Sequence, residues 1–459
     1  MTDTTASQKA AALKQAHPND PAAPQKATFV EQVKVSAGRR VWLVLSLFIF
    51  MLLHQTDKLL ISPLTTPIMA AFKINEAQMG MVFTGALLVS GLFYPIWGYL
   101  YDRFARPKIL ALAAFIWGAT TWLSAIAPTF GLFVATRAST GIDDASYPGA
   151  YSLVSDYFGP TRRGKIISIL QLTAVLGGIV GMGLATVFRD TLGWRGIFYI
   201  TGSLGLIWAV VMFLTVRDIP RGTSEPEQEG RSQVVTSKFS WAAVRTLMRR
   251  PAVVTLFVQQ FIYVFPFNAV TAWYFHYLET EGGLTTAQTT MTMGLFALVV
   301  AAGTFVAGAL GDWAFRKTPR GRLFVAVGGM ALLTIFFTTA LRINPAAHFG
   351  LFFVLQTIGA FFWSFEWPNS VSTIQDIVEP EIRSTAHAII GVAETLGSAL
   401  APLAAGLIAV GATLQKALLT ITTIGWLAGI VLLGVVLVYL PKEVQALRNL
   451  MKERVEKAI

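Results

Sequence analysis

The chain has 459 residues, no cysteine, only 5 histidines and only 13% charged side chains. Without cysteine there is no disulfide, thiolate metal site or thiol nucleophile, and five scattered histidines do not suggest a metal cluster. No G-x4-G-K-[ST] phosphate loop occurs, so ATP-driven transport by this chain is not expected. No nucleophile–base pair or metal-ligand set stands at membrane depth, so neither an enzyme nor a cofactor is predicted. The shortage of charge, set against 54% hydrophobic residues and a mean hydropathy of +0.58, leaves too little polar surface for a soluble domain.

What is present is hydrophobic sequence in blocks of roughly 20 to 30 residues, the length of a membrane-crossing helix rather than of a barrel strand. Twelve spans are expected, near 41–69, 79–101, 109–127, 130–157, 166–188, 197–216, 252–277, 288–311, 323–341, 349–377, 386–409 and 417–440. The fold class is therefore an all-α polytopic membrane protein. A polar tail (1–38) without a signal-peptide core precedes the first bundle (39–218), and a linker (219–250) rich in Pro, Gly and Glu follows it. A second bundle (251–440) and a tail (441–459) complete the chain.

The net charge of +11 might suggest nucleic acid, but the basic residues sit in loops beside the apolar blocks, where topology and anionic membrane lipid account for them. Loops after spans two, four and eight carry Arg103, Arg106 and Lys108, then Arg162, Arg163 and Lys165, then Arg316, Lys317, Arg320 and Arg322. The positive-inside rule makes those loops, both termini and the linker cytoplasmic in a plasma (inner) membrane. The halves also repeat. Gly98, Leu100 and Asp102 recur as Gly308, Leu310 and Asp312, offset by 210, and Asp156, Pro160 and Arg163 recur as Asp376, Pro380 and Arg383, offset by 220. Parallel repeats of six spans put a binding site between the halves near the midplane, within a chain that can work as a monomer.

Ionisable residues deep in a span are expensive and mark function. His54, Asp57 and Lys58 stand at i, i+3 and i+4, on or near one face of span one. In span four Arg137, Gly141, Asp144 and Pro148 form one stripe, with Asp143 about 100° away. Asp57 and Asp144, with Arg137 beside Asp144, are the proton-coupling candidates. His54, Lys58, Tyr147, Trp363 and Glu366 are the substrate-binding candidates, Trp363 and Glu366 belonging to a Pro-broken aromatic patch in span ten. Static ion pairs and lipid-facing aromatics are the plainer alternatives for these two sets.

The run from Gly98 through Asp102, Arg103 and Arg106 to Lys108, together with Arg137-x3-Gly141, resembles the signature motifs of the major facilitator superfamily. That resemblance implies two pseudo-symmetric six-helix bundles working by alternating access. It also implies a cytoplasmic gate at Gly98, Asp102, Arg103, Arg106 and Asp312 that latches the outward-facing state. His54 to Lys58, Arg137 to Tyr147 and Val216 to Gly222 resemble Spinster-type lipid transporters, whereas Pro148-Gly149 and Gly193 to Phe198 look more like anion:cation symporters. The expected function is proton-coupled transport of a small organic anion or an anionic, lysophospholipid-like amphiphile. A non-transporting receptor and a multidrug exporter are the alternatives.

Overall fold

The structure, a computed structural model, describes residues 35–458 apart from 145, 221–243, 246, 380 and 381, and the side chains of 102, 160, 161, 384, 454, 455, 457 and 458 are not described. Most of the expected N-terminal tail and of the linker lies outside the described residues. Span one is Ala37–Leu60, continued after a turn by Thr65–Phe72. Glu76–Arg103, Arg106–Ile126, Pro160–Phe188 and Gly193–Thr215 are spans two, three, five and six. Pro251–Thr280, Thr286–Lys317 and Gly321–Arg342 are spans seven to nine, and Arg383–Gly411 and Leu414–Ala458 are spans eleven and twelve. The expected C-terminal tail is thus a continuation of the last helix. Among the described residues, 11 segments are long and apolar enough to cross a membrane. The twelfth crossing, span four, is divided among Phe130–Ser139, Gly141–Asp144 and Tyr147–Tyr157.

Span ten is broken as well, into Phe349–Trp363 and Trp367–Ile377. Both helices restart on a proline, Pro148 and Pro368, which share the offset of 220 already seen for Asp156 and Asp376. Proline lacks the N–H that would continue the preceding turn and clashes with the carbonyl four residues back, so the break follows from the sequence. Spans two and eight begin with capping boxes, Asn75 with Gln78 and Thr285 with Gln288, which carry the offset of 210.

The repeated aspartates tie each half together at the end where the basic loops lie, here termed the basic end. Arg106, only 1% exposed, is bonded to Asp156, to Asp218 at 3.0 Å and to the Ile219 carbonyl at 2.9 Å. In the second half Arg322 bonds Asp376 and, at 2.8 Å, Asp312. The repeated arginines do a further job: Arg163 donates to the Ser155 carbonyl and Arg383 to the Val378 carbonyl, closing the ends of the broken spans.

The halves are pinned together at the opposite, far end. A continuous apolar core runs there from Leu64, Met79 and Phe133 of the first half to Trp273, Tyr274 and Leu278 of the second. Across the seam Thr66 meets His276 at 2.8 Å, Thr84 donates to the Ala399 carbonyl at 2.6 Å, and Arg189 pairs with Glu279 at 2.8 Å. Spans two and eleven approach so closely that a Cβ on Gly406 would stand 2.4 Å from the Glu76 carbonyl oxygen. Span four packs on span two with similar closeness, since a Cβ on Gly141 would lie 2.0 Å from the Ala86 carbonyl oxygen.

Gly141→Ala therefore forces two backbones apart, and overpacking of this kind costs about 1–3 kcal/mol. A fall of several degrees in the melting temperature in detergent is expected for Gly141→Ala. Gly183→Ala, where a Cβ meets nothing within 4 Å, should leave it unchanged.

Candidate functional site

Spans one, three, four and six enclose a set of charges near the middle of the first half. Three basic groups, His54, Lys58 and Arg137, face three carboxylates, Asp57, Asp143 and Asp144. The pairing crosses between helices. Lys58 Nζ lies 2.6 Å from Asp144 Oδ2, and Arg137 Nη1 lies 3.5 Å from Asp57 Oδ2. Asp57 thus faces Arg137 rather than its sequence neighbour Lys58, and Asp144 pairs with Lys58 while sharing the cavity wall with Arg137. A helix wheel shows which residues share a face but not which partner a neighbouring helix supplies.

Asp57 is held at both oxygens: Thr121 of span three donates to Oδ2 at 3.0 Å and Thr201 of span six to Oδ1 at 2.7 Å. Arg137 is 4% exposed and lies over the Phe198 ring at 5.1 Å, yet its Nε and Nη1 have no hydrogen-bond partner. Buried, unused donors of this kind are uncommon in folded proteins.

Behind this layer, Asp143 is fully buried, with Oδ2 2.6 Å from His54 Nε2, and His54 Nδ1 is 2.5 Å from the Tyr147 hydroxyl. Asp144 Oδ1 stands 3.7 Å from the same His54 Nε2. A neutral His54 protonated at Nε2 places its N–H beside Asp143 and accepts from Tyr147. A protonated ring donates through both nitrogens, and the Tyr147 hydroxyl must then turn. The ring is fixed further by Trp117, edge-on at 5.6 Å. Asp143 joins the charged set, a placement that the sequence did not assign. The broken geometry around Thr140 and Ser146 turns it toward span one, and its only sequence signal was adjacency to Asp144.

Lys58, Asp57, His54, Arg137 and Asp144 all line a central cavity of about 840 Å³, counted with the part continuous with solvent, to which the second half contributes Asn268, Thr271, Ala272 and Pro402. That size and mixed lining suit a small-molecule site. The Lys58 side chain is 42% exposed in it, which makes it the accessible cation of the set. Its wall on span two is apolar, with Val82, Phe83, Ala86 and Leu87.

The other candidates lie apart from this cavity. Tyr147 stands one layer back, behind His54. Trp363 is 2% exposed in an aromatic cluster with Phe296, Phe337 and Trp426, at 5.2, 5.3 and 5.3 Å, so packing of the second half is its role here. Glu366 is fully buried and accepts from Gln260 at 3.0 Å. Glu394 accepts from Trp367 Nε1 at 2.9 Å. The expected gate is also dispersed. Arg106 and Asp312 are each tied within their own half, as described above. Arg103 lies over Tyr99 at 4.7 Å, Gly98 has open space around it, and the Asp102 side chain lies outside the described residues. Among the described residues no latch between the halves is formed at the basic end, and the seam is closed at the far end instead.

A sequence-family model for the Major Facilitator Superfamily matches residues 43–347 and 319–455. The chain belongs to the Major Facilitator Superfamily. It is 32% identical to protein spinster of Drosophila melanogaster over 46% of this chain and 35% of that protein. It is 26% identical to protein spinster homolog 1 of Xenopus tropicalis over 82% of this chain and 74% of that one. A hexuronate transporter of Bacillus subtilis (strain 168) is 23% identical over 78% and 86%. Among solved structures, a bacterial homolog to human lysosomal transporter Spinster, in an inward-facing and unoccupied conformation, aligns with a TM-score of 0.76 and 20% identity, covering 90% of this chain and 99% of that one. These likenesses bear out the superfamily and Spinster-type resemblances read from the sequence, and they mark the chain as a multi-pass transporter-family protein rather than an enzyme.

Breaking one partner of a buried ion pair leaves a stranded charge and costs about 3–5 kcal/mol. Arg137→Gln should therefore lower the melting temperature markedly, and adding Asp57→Asn should restore much of the loss. A double variant no more stable than the single would show that Asp57 and Arg137 are not coupled.

Proposed function

We propose that this protein is a secondary active transporter that moves a small organic anion or an anionic amphiphile by proton-coupled alternating access, acting as a monomer. The observation that carries this reading is the set of donors on the cavity wall: a half-exposed Lys58, and a buried Arg137 whose Nε makes no hydrogen bond and whose Nη1 has only the 3.5 Å ion pair with Asp57. Such donors fit a carboxylate or phosphate.

An anion arriving at Lys58 competes with Asp144 for the ammonium. A carboxylate that loses its counter-ion in this setting takes up a proton, so anion and proton load together. His54, between Asp144 and Asp143, can pass the proton inward. Of the two carboxylates predicted to carry it, Asp144 has the better access, while Asp57 stays on Thr121, Thr201 and Arg137 until the cavity is occupied. Once both ligands are bound, no uncompensated charge opposes the reorientation of the halves. The basic end is assigned to the cytoplasm by its loops. With the far end closed, the structure then corresponds to the inward-open state of the cycle.

A relative named for hexuronate transport supports a sugar acid, and the Spinster-type resemblance read from the sequence supports a lysolipid. The apolar wall of Val82, Phe83 and Leu87 gives an acyl chain somewhere to lie, and the polar Asn268 and Thr271 give a sugar acid partners.

Thermal stability of the purified protein in nanodiscs, with glucuronate and with lysophosphatidylglycerol, tests the reading. A ligand at 100 times its Kd stabilises by about 2.7 kcal/mol. Stabilisation by one of the two, abolished by Lys58→Ala, is the expected result. Stabilisation by neutral or cationic solutes alone would overturn the anionic substrate.

A further inference from the structure

A second cavity lies outside the central one and shares no residue with it. It has about 410 Å³ of space at the basic end of the first half and is lined by Arg39, Trp42, Leu43, Tyr157, Thr215, Val216 and Arg217. The start of span one, the end of span four and the segment leaving span six meet there.

Positive charge is in excess here. Arg39 and Arg217 are both exposed, and among the described residues neither forms an ion pair. Asp156 and Asp218 are both bonded to Arg106, so three guanidinium groups stand against two carboxylates among the described residues. The surplus positive charge on the pocket wall favours an anion.

The walls are built. Trp42 Nε1 donates to the Thr215 hydroxyl at 2.9 Å, and the Tyr157 hydroxyl donates to the Arg217 carbonyl at 2.6 Å, which fixes the Arg217 backbone against span four. Trp and Tyr with a polar tip and an apolar body belong at the depth of lipid headgroups. Immediately toward the membrane the surface turns apolar and exposed, with Val41 66%, Leu45 44%, Phe213 56% and Leu214 72% accessible. A basic pocket that opens onto an apolar strip matches a molecule with an anionic head and acyl tails.

We propose that this pocket binds the phosphate headgroup of an anionic phospholipid from the leaflet at the basic end. Arg39 and Arg217 hold the phosphate, Trp42 packs on the glycerol region, and the acyl chains lie along Val41, Leu45 and Leu214. The site is separate from the substrate cavity and does not depend on the transport reading. It joins span one, which carries His54, Asp57 and Lys58, to the end of span six, so the bound lipid braces the helix that bears the central charges.

The test is thermal stabilisation of the detergent-purified full chain, titrated with dioleoyl-phosphatidylglycerol, dioleoyl-phosphatidylcholine, or inorganic phosphate. The anionic lipid should stabilise at lower concentration than the zwitterionic one. In Arg39→Gln/Arg217→Gln its half-effective concentration should rise about 25-fold, which corresponds to ~1 kcal/mol for each basic residue lost. Lys58→Ala should leave the lipid response unchanged. Both arginines are exposed, so the double variant should fold, and Trp42→Ala provides a second, uncharged weakening of the site. An unaltered phosphatidylglycerol response in both variants would overturn the proposal. Inorganic phosphate as effective as the lipid would overturn the lipid assignment in favour of a free-anion site.

Discussion

A charge in the interior of a membrane bundle must be paired, and that requirement organises this molecule. Three basic and three acidic side chains are set into one helix bundle, at a depth where each alone is costly to insert. The chain satisfies them by crossing the pairs between spans: Lys58 to Asp144, Arg137 to Asp57, His54 to Asp143. Every one of these contacts joins span one to span four, so span four cannot shift on span one without exchanging partners. The break in span four at Thr140 to Ser146 is part of the same solution. A continuous helix would present Asp144 on the cavity stripe and leave Asp143 facing elsewhere, whereas the interrupted helix delivers both to span one.

The same economy appears at the basic end, where the second use of charge is structural. Arg106 and Arg322 each gather two aspartates from different segments of their own half. The two bundles are thus rigid bodies in the electrostatic sense, and contact between them is left to the far end, where an apolar core and a few polar pairs form the seam. Rigid halves joined at one end, with a cavity between them, are what a rocking cycle needs.

Much of this was legible in the sequence. Hydropathy marks the spans and the six-plus-six division, and the offsets of 210 and 220 mark the repeat. The same offsets relate Pro148 to Pro368 at equivalent helix breaks and Asn75 to Thr285 at equivalent caps. His54, Lys58 and Asp144 were found because a charge in a span is conspicuous on its own. The pairing was not legible, because Asp57 takes its partners from spans three, four and six, and no spacing along one helix encodes that. Trp363 illustrates the opposite limit. Its neighbourhood of Pro and Glu suggested a site wall, but aromatic residues in spans pack on one another when they can, and four large rings around position 363 do so here. The gate rests on a motif that departs from the family pattern at Ala105 and Pro107, and a motif does not say which state of the cycle a structure occupies.

The central claim is that the Lys58–Asp144 pair exchanges its partner, with the substrate taking the ammonium and a proton taking the carboxylate. Proteoliposomes containing Asp144→Asn, assayed for accumulation driven by a pH gradient and for exchange of labelled substrate without one, test it most directly. The account predicts that exchange persists, because the amide mimics the protonated acid, while gradient-driven accumulation is lost. Accumulation at the unmodified level in Asp144→Asn would contradict it.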